Sequence, residues 1–92
     1  MKYILHRMER NGYFHVIMDY NHELAVKLAD TLDADPKLDC YMYEGRKGIN
    51  QHVVYVRVTD TSLRKQGDSA MQNYVYDICE RVLGPNELKR KS

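Results

Sequence analysis

Residues 40–57 read CYMYEGRKGINQHVVYVR, two β-rich runs on either side of a turn that carries Gly45 and Gly48. Read outward from that turn, 38–44 alternate: Leu38, Cys40 and Met42 fall on one face, Asp39, Tyr41 and Tyr43 on the other. Residues 52–59 alternate again, with Val54, Val56 and Val58 on one face and Val53, Tyr55, Arg57 and Thr59 on the other. Period-two alternation marks a half-buried strand. The stretch therefore predicts a hairpin whose Cys40, Met42, Val54, Val56, Val58 face builds a core. Its opposite face shows Tyr41, Tyr43, Tyr55 and Arg57, with Arg46 and Lys47 at the rim.

A second hairpin is expected upstream. Residues 2–9 and 13–19 enclose Arg10-Asn11-Gly12, and Asn-Gly between β-rich runs is the strongest short hairpin signal because both residues tolerate positive φ. A two-residue turn sets Glu9 against Phe14, Arg7 against Val16, Leu5 against Met18 and Tyr3 against Tyr20. The Leu5, Phe14, Val16, Met18 face is the core side in that register, although a bulge would exchange the two faces. Ile4, His6, Met8, His15 and Ile17 then lie outside, with His6 and His15 as diagonal neighbours.

Helices follow each hairpin. Asn21 is a good N-cap, Leu24, Leu28 and Leu32 repeat every four residues beside Ala25 and Ala29, and Ala34-Asp35-Pro36 ends the run, giving a helix over 22–33. Residues 60–67 read as a polar loop with room for one helical turn at 62–65. Asp68 or Ser69 then caps a second helix bearing Met71, Tyr74, Val75, Ile78 and Val82, stopped by Gly84-Pro85. The order β-β-α-β-β-α predicts an α+β two-layer sandwich: a four-stranded, mostly antiparallel sheet with both helices on one face. The chain of 92 residues supports one domain over 1–85, with 86–92 as a polar, basic tail.

Composition narrows the function. Net charge is +1, but residues 21–44 set Lys27 and Lys37 against Glu23, Asp30, Asp33, Asp35, Asp39 and Glu44, while 45–67 set Arg46, Lys47, Arg57, Arg64 and Lys65 against Asp60. Such a bipolar surface can steer encounter with a charged partner, although alternating solvated faces are the commoner reason for it. Two cysteines, no signal peptide and no run near the length of a membrane span fit a cytoplasmic protein. Cys40 and Cys79 read as structural thiols. The four histidines lack metal-ligand spacing, and Gly45-Arg46-Lys47-Gly48 matches no phosphate loop. The expectation is no enzyme, no cofactor and no metal.

In size, element layout and composition the whole chain resembles small phage-encoded host-takeover proteins, anti-CRISPR proteins among them. No motif carries that resemblance, so it transfers no residue. It implies a non-enzymatic inhibitor or modulator of a larger protein or nucleoprotein assembly in the host cytoplasm. The partner-binding residues are expected to be Tyr41, Tyr43, Tyr55 and Arg57, with Arg46 and Lys47 as rim charges, because Tyr and Arg dominate interface hot spots. A homodimer would cover the same face. The competing reading is a single-stranded nucleic-acid module that stacks bases on the aromatic, basic sheet face.

Overall fold

The computed structural model describes residues 1–88. Strands β1 (Tyr3–Arg7), β2 (Tyr13–Asp19), β3 (Leu38–Arg46) and β4 (Gln51–Val58) form one antiparallel sheet in the order β1-β2-β4-β3. Helices α1 (His22–Ala34), α2 (Thr61–Lys65) and α3 (Asp68–Leu83) complete the chain. The first strand of each hairpin is thus an edge, and the return strands β2 and β4 pair in the centre. Tyr3, Leu5, Phe14, Val16, Met18, Leu38, Val54, Val56 and Val58 form a single buried cluster with Ala25, Leu28, Leu32, Leu63, Met71, Val75 and Ile78. The helical layer therefore covers one face of the sheet, and among the described residues no element covers the other.

The first hairpin has the expected faces in a different register. Tyr3 pairs with Met18, Leu5 with Val16 and Arg7 with Phe14, two residues away from the expected pairing. A shift by two preserves side-chain alternation, so the core face survives. The cause lies in the turn. Only Gly12 has positive φ (85°), whereas a type I′ turn needs it at both central residues. Instead Tyr13 N–H donates to the Arg10 carbonyl (3.1 Å) and Met8 N–H to the Tyr13 carbonyl (2.9 Å), which closes a longer loop. The Gly12 carbonyl is then free to accept from Val58 N–H at 2.8 Å, extending the β2–β4 ladder.

The second hairpin departs from strict alternation. Cys40 pairs with Val56 but Met42 pairs with Tyr55, so Tyr41 is an extra residue in β3 and marks a bulge. Beyond it the two faces exchange. Tyr43 now opposes Val54 on the helical side, while Met42 and Glu44 oppose Tyr55 and Val53 on the open side. This corrects the expected placement of Met42 inside and Tyr43 outside. Unbroken alternation would have sent the Glu44 carboxylate toward the core, at the large cost of burying a charge. It would also have turned Gly45 outward. Gly45 instead sits where an added Cβ would lie 3.1 Å from His52 Cε1 and 3.3 Å from the Tyr20 ring.

Helix signals held with small adjustments. Asn21 Oδ1 accepts from Leu24 N–H at 3.1 Å, capping α1. Asp60 Oδ2 accepts from Leu63 N–H at 2.8 Å and caps α2, so the helical turn expected at 62–65 is present and starts one residue earlier, giving a third helix in the layout. The N-cap of α3 is Gly67, at φ 99°, and neither Asp68 nor Ser69. The chain turns between α2 and α3 within two residues, and only a positive φ there permits it. Asp68 instead forms an ion pair with Arg7 at 3.2 Å.

Residues 86–88, assigned to the tail by composition, are tied to the sheet edge. Asn86 Oδ1 accepts from Tyr3 N–H (3.1 Å), and its Nδ2 donates to the Tyr3 carbonyl (2.7 Å) and the Tyr76 hydroxyl (3.0 Å). The side-chain amide thus completes the ladder of edge strand β1. Replacing Asn86 by alanine is expected to cost about 1–2 kcal/mol, because partly buried donors and acceptors lose their partners. Urea unfolding with an unchanged m-value measures it, and an unshifted midpoint would refute this role. The basic run at 89–91 lies outside the described residues.

Candidate functional site

The open face of the sheet is a grid fixed by the register. One row runs Ile4, Ile17, Val53, Glu44, and the next His6, His15, Tyr55, Met42. A third runs through Tyr13, Arg57 and Asp39. His6 and His15 are directly opposed, since the two-residue register shift converts the expected diagonal into a cross-strand pair. The centre of this face is closed by its own side chains. Val53 is 1% exposed and Tyr55 9%, because β4 is an inner strand and its side chains are flanked on both sides. Packing of the His15 ring against Tyr55, edge-on at 4.3 Å, and of Tyr41 against Tyr55 at 6.0 Å completes the cover.

Polar groups lock this surface. Glu44 Oε1 accepts from the Tyr55 hydroxyl at 2.6 Å and from Arg46 Nε at 3.0 Å. The Tyr55 hydroxyl and the Arg46 guanidinium hold the Glu44 carboxyl below its ordinary pKa, and the carboxylate in turn pushes the Tyr55 phenol up. Arg57 Nε donates to Asp39 Oδ2 at 2.8 Å across the β4–β3 pair. Tyr55, Arg46 and Arg57 are thereby engaged within the chain. Both ion pairs are solvated and screened by salt, so they orient the arginines more than they stabilise the fold.

Three exposed large side chains stand together at edge strand β3. Tyr41, Met42 and Tyr43 are 45%, 47% and 43% exposed and are consecutive. The bulge sends Tyr41 and Met42 to the open face and Tyr43 round the edge toward α1. There Ala29, Asp30 and Asp33 of α1 face Cys40–Tyr43 across an open groove of about 390 Å³. Asp33 Oδ1 accepts from the Cys40 N–H at 3.3 Å, satisfying one edge donor that the bulge releases. Lys47 opens a short 3₁₀ turn (Lys47–Ile49), exposed and at the far end of the hairpin.

The expected site residues therefore divide. Tyr41 and Tyr43 flank one edge, Tyr55 is an internal support, Arg57 belongs to the Tyr13 end of the sheet, and Arg46 and Lys47 to the other end. Glu44, Tyr13 and Arg10 were not singled out from sequence. Glu44 could not have been, since its outward placement depends on the bulge. The adjacency Arg10-Asn11-Gly12-Tyr13 was the one signal for the others, as a turn brings Arg10 back over Tyr13.

Elsewhere the chemistry is quiet. Burial pushes the Cys79 thiol up to about 12 and raises that of Cys40, so both are protonated at neutral pH. Among the described residues no group of three or more His, Cys, Asp or Glu side chains could hold a metal ion. None of the described helices is long and apolar enough to cross a membrane. Comparison with protein-family models, with curated proteins and with solved structures finds no match.

Proposed function

We propose that this chain is a non-enzymatic binding protein that modulates a larger protein or nucleoprotein assembly by accepting an extended partner segment along β3. The observation that carries this reading is the run Tyr41, Met42, Tyr43, all exposed, on an edge strand beside a groove. Edge strands present unpaired backbone N–H and C=O groups, and folded proteins usually blunt them with charge or cover. Here charges at Asp39, Glu44 and Arg46 and the bulge blunt part of the edge, yet three large apolar or aromatic side chains stand exposed between them. Strand addition uses such an edge for backbone hydrogen bonds and neighbouring pockets for side-chain choice. The bulge confines the regular edge to the segment after it, so a short segment fits better than a long one. Asp30 and Asp33 on the groove wall favour a basic residue in the partner.

The resemblance to phage-encoded inhibitors supports the same reading at the level of size and layout, and it would place the partner in a host assembly. Crosslinked capture from the native source, followed by titration of the recovered partner, tests it. Tyr43→Ala is expected to weaken that complex roughly tenfold, as loss of an anchor does, with the circular dichroism spectrum unchanged. Undiminished affinity of Tyr43→Ala for the captured partner would move the interface off this edge.

A further inference from the structure

Three arginines converge at the end of the sheet opposite the Lys47 turn, and the fold alone brings them together. Arg10, in the β1–β2 loop, lies over the Tyr13 ring with its Cζ 4.5 Å from the centroid. Arg57 opposes Tyr13 across the β2–β4 pair. Arg64 reaches the rim of this corner from α2, on the helical side of β2: its Nε lies 3.6 Å from the point that a Cβ on Gly12 would occupy, beside Met71. Together they hold the Tyr13 phenol below its ordinary pKa, Arg57 most strongly, against the opposing effect of burial. Among the described residues Asp39 is the one carboxylate ion-paired to this group, and it engages Arg57. Among the described residues Arg10 and Arg64 form no ion pair.

An aromatic surface adjoins the charge. The exposed Tyr41 ring meets Tyr13 edge-on at 5.9 Å. Two solvated arginines without an ion pair, Arg10 and Arg64, next to an exposed ring complement a ligand that is both anionic and planar. Guanidinium groups suit phosphate geometry, and an exposed tyrosine face stacks a base regardless of its identity. A duplex hides its base faces, so a single strand is the form that can use both features.

We propose that the Tyr13–Tyr41 corner binds a nucleotide unit of single-stranded nucleic acid, with Arg10 and Arg64 on phosphate and Tyr41 under a base. Tyr41 also lines the β3–α1 groove, so the arginines and Tyr43 tell the two readings apart: loss of Arg10 and Arg64 touches only this corner, and loss of Tyr43 only the groove. The test is fluorescence anisotropy with a dye-labelled, mixed-sequence single strand of about twelve nucleotides, within the usual site sizes. It is run as DNA and as RNA between about 50 and 200 mM salt. The wild-type chain should bind at low salt. Arg10→Ala combined with Arg64→Ala should weaken binding at least tenfold and flatten the log K against log salt slope by about 1.4, the loss of two single-strand phosphate contacts.

Tyr41→Ala should weaken binding and leave that slope unchanged. Arg46→Ala with Lys47→Ala, at the other end of the sheet, should match wild type, as should Tyr43→Ala. No binding by the wild-type chain at low salt overturns the proposal. So does an affinity equally reduced by the Arg46/Lys47 pair, or a duplex of the same length competing as well as the single strand, since either reports unspecific attraction.

Discussion

Phe14→Ala is expected to destabilise the chain by about 3–5 kcal/mol, the range for removing a buried aromatic from a core that cannot close over the cavity. Phe14 is fully buried on β2, opposite Val56 of β4 and beside Arg7 of β1. It lies in the one strand pair that joins the two hairpins. The site is poorly placed to relax, because both neighbouring strands are fixed by ladder hydrogen bonds and the helical layer presses from one side. A domain of this size holds about 5–15 kcal/mol in all, so the variant should sit near the edge of folding at 37 °C. Denaturant titration of wild type and variant at 25 °C measures the difference. A loss below about 1 kcal/mol would show that the β2–β4 seam repacks. Phe14→Leu should then cost distinctly less than Phe14→Ala, since much of the volume remains.

The second large effect concerns His52. It is 1% exposed, at the end of the core face of β4, and both its ring nitrogens lack a hydrogen-bond partner. Its ring stacks on Tyr20 at 4.3 Å and lies 6.0 Å from His22, with Gly45 pressed against its edge. Burial lowers its pKa and the charge of His22 lowers it further; the Glu44 backbone lies near enough to oppose this weakly but makes no well-formed hydrogen bond to the ring. The unfolded chain therefore takes up a proton near the ordinary histidine value of about 6.5, while the folded chain resists it. Above that pH the imidazole is neutral in both states and contributes no pH dependence. Below it the unfolded state binds more protons, and stability falls until the depressed folded pKa is passed.

His52→Leu removes both the orphaned nitrogens and this proton. It should raise stability at pH 7.5 by about 1–3 kcal/mol, the cost of an unsatisfied buried polar group. It should also flatten the fall in unfolding free energy between pH 7 and 5. His15 contributes in the same direction, its pKa lowered first by burial and then by His6 and Arg46, so some acid loss remains in the variant. Parallel stability-against-pH curves for wild type and His52→Leu would show that His52 is not the group responsible.

These expectations draw unequally on sequence and structure. Strand and helix placement was legible because period-two and period-four patterns are local properties. Val54, Val56 and Val58, or Leu24, Leu28 and Leu32, declare a face without reference to anything distant. Asn21 and Pro36 mark the ends of α1 for equally local reasons. Register was not local. Asn11-Gly12 gave the hairpin, but its turn geometry yielded to the Gly12–Val58 bond, which needs a strand far along the chain. The tyrosines were visible as a group, yet Tyr55 is an internal support and Tyr43 turns to the helical side.

The sequence by itself determined the α+β class, the placement of the strands and of the two long helices, and the inner face of each strand up to the bulge, because apolar periodicity and caps act over a few residues. Only the tertiary structure decided the rest. Pairing β2 with β4 makes β3 an edge, and one extra residue in β3 keeps the Glu44 charge out of the core and seats Gly45 against His52. That same residue leaves Tyr41, Met42 and Tyr43 exposed in a row. The junction of loop, strand and short helix gathers Arg10, Arg57 and Arg64 at Tyr13. Each outcome balances distant groups against one another, charge against burial and side chain against available space, and no local pattern in the chain encodes that balance.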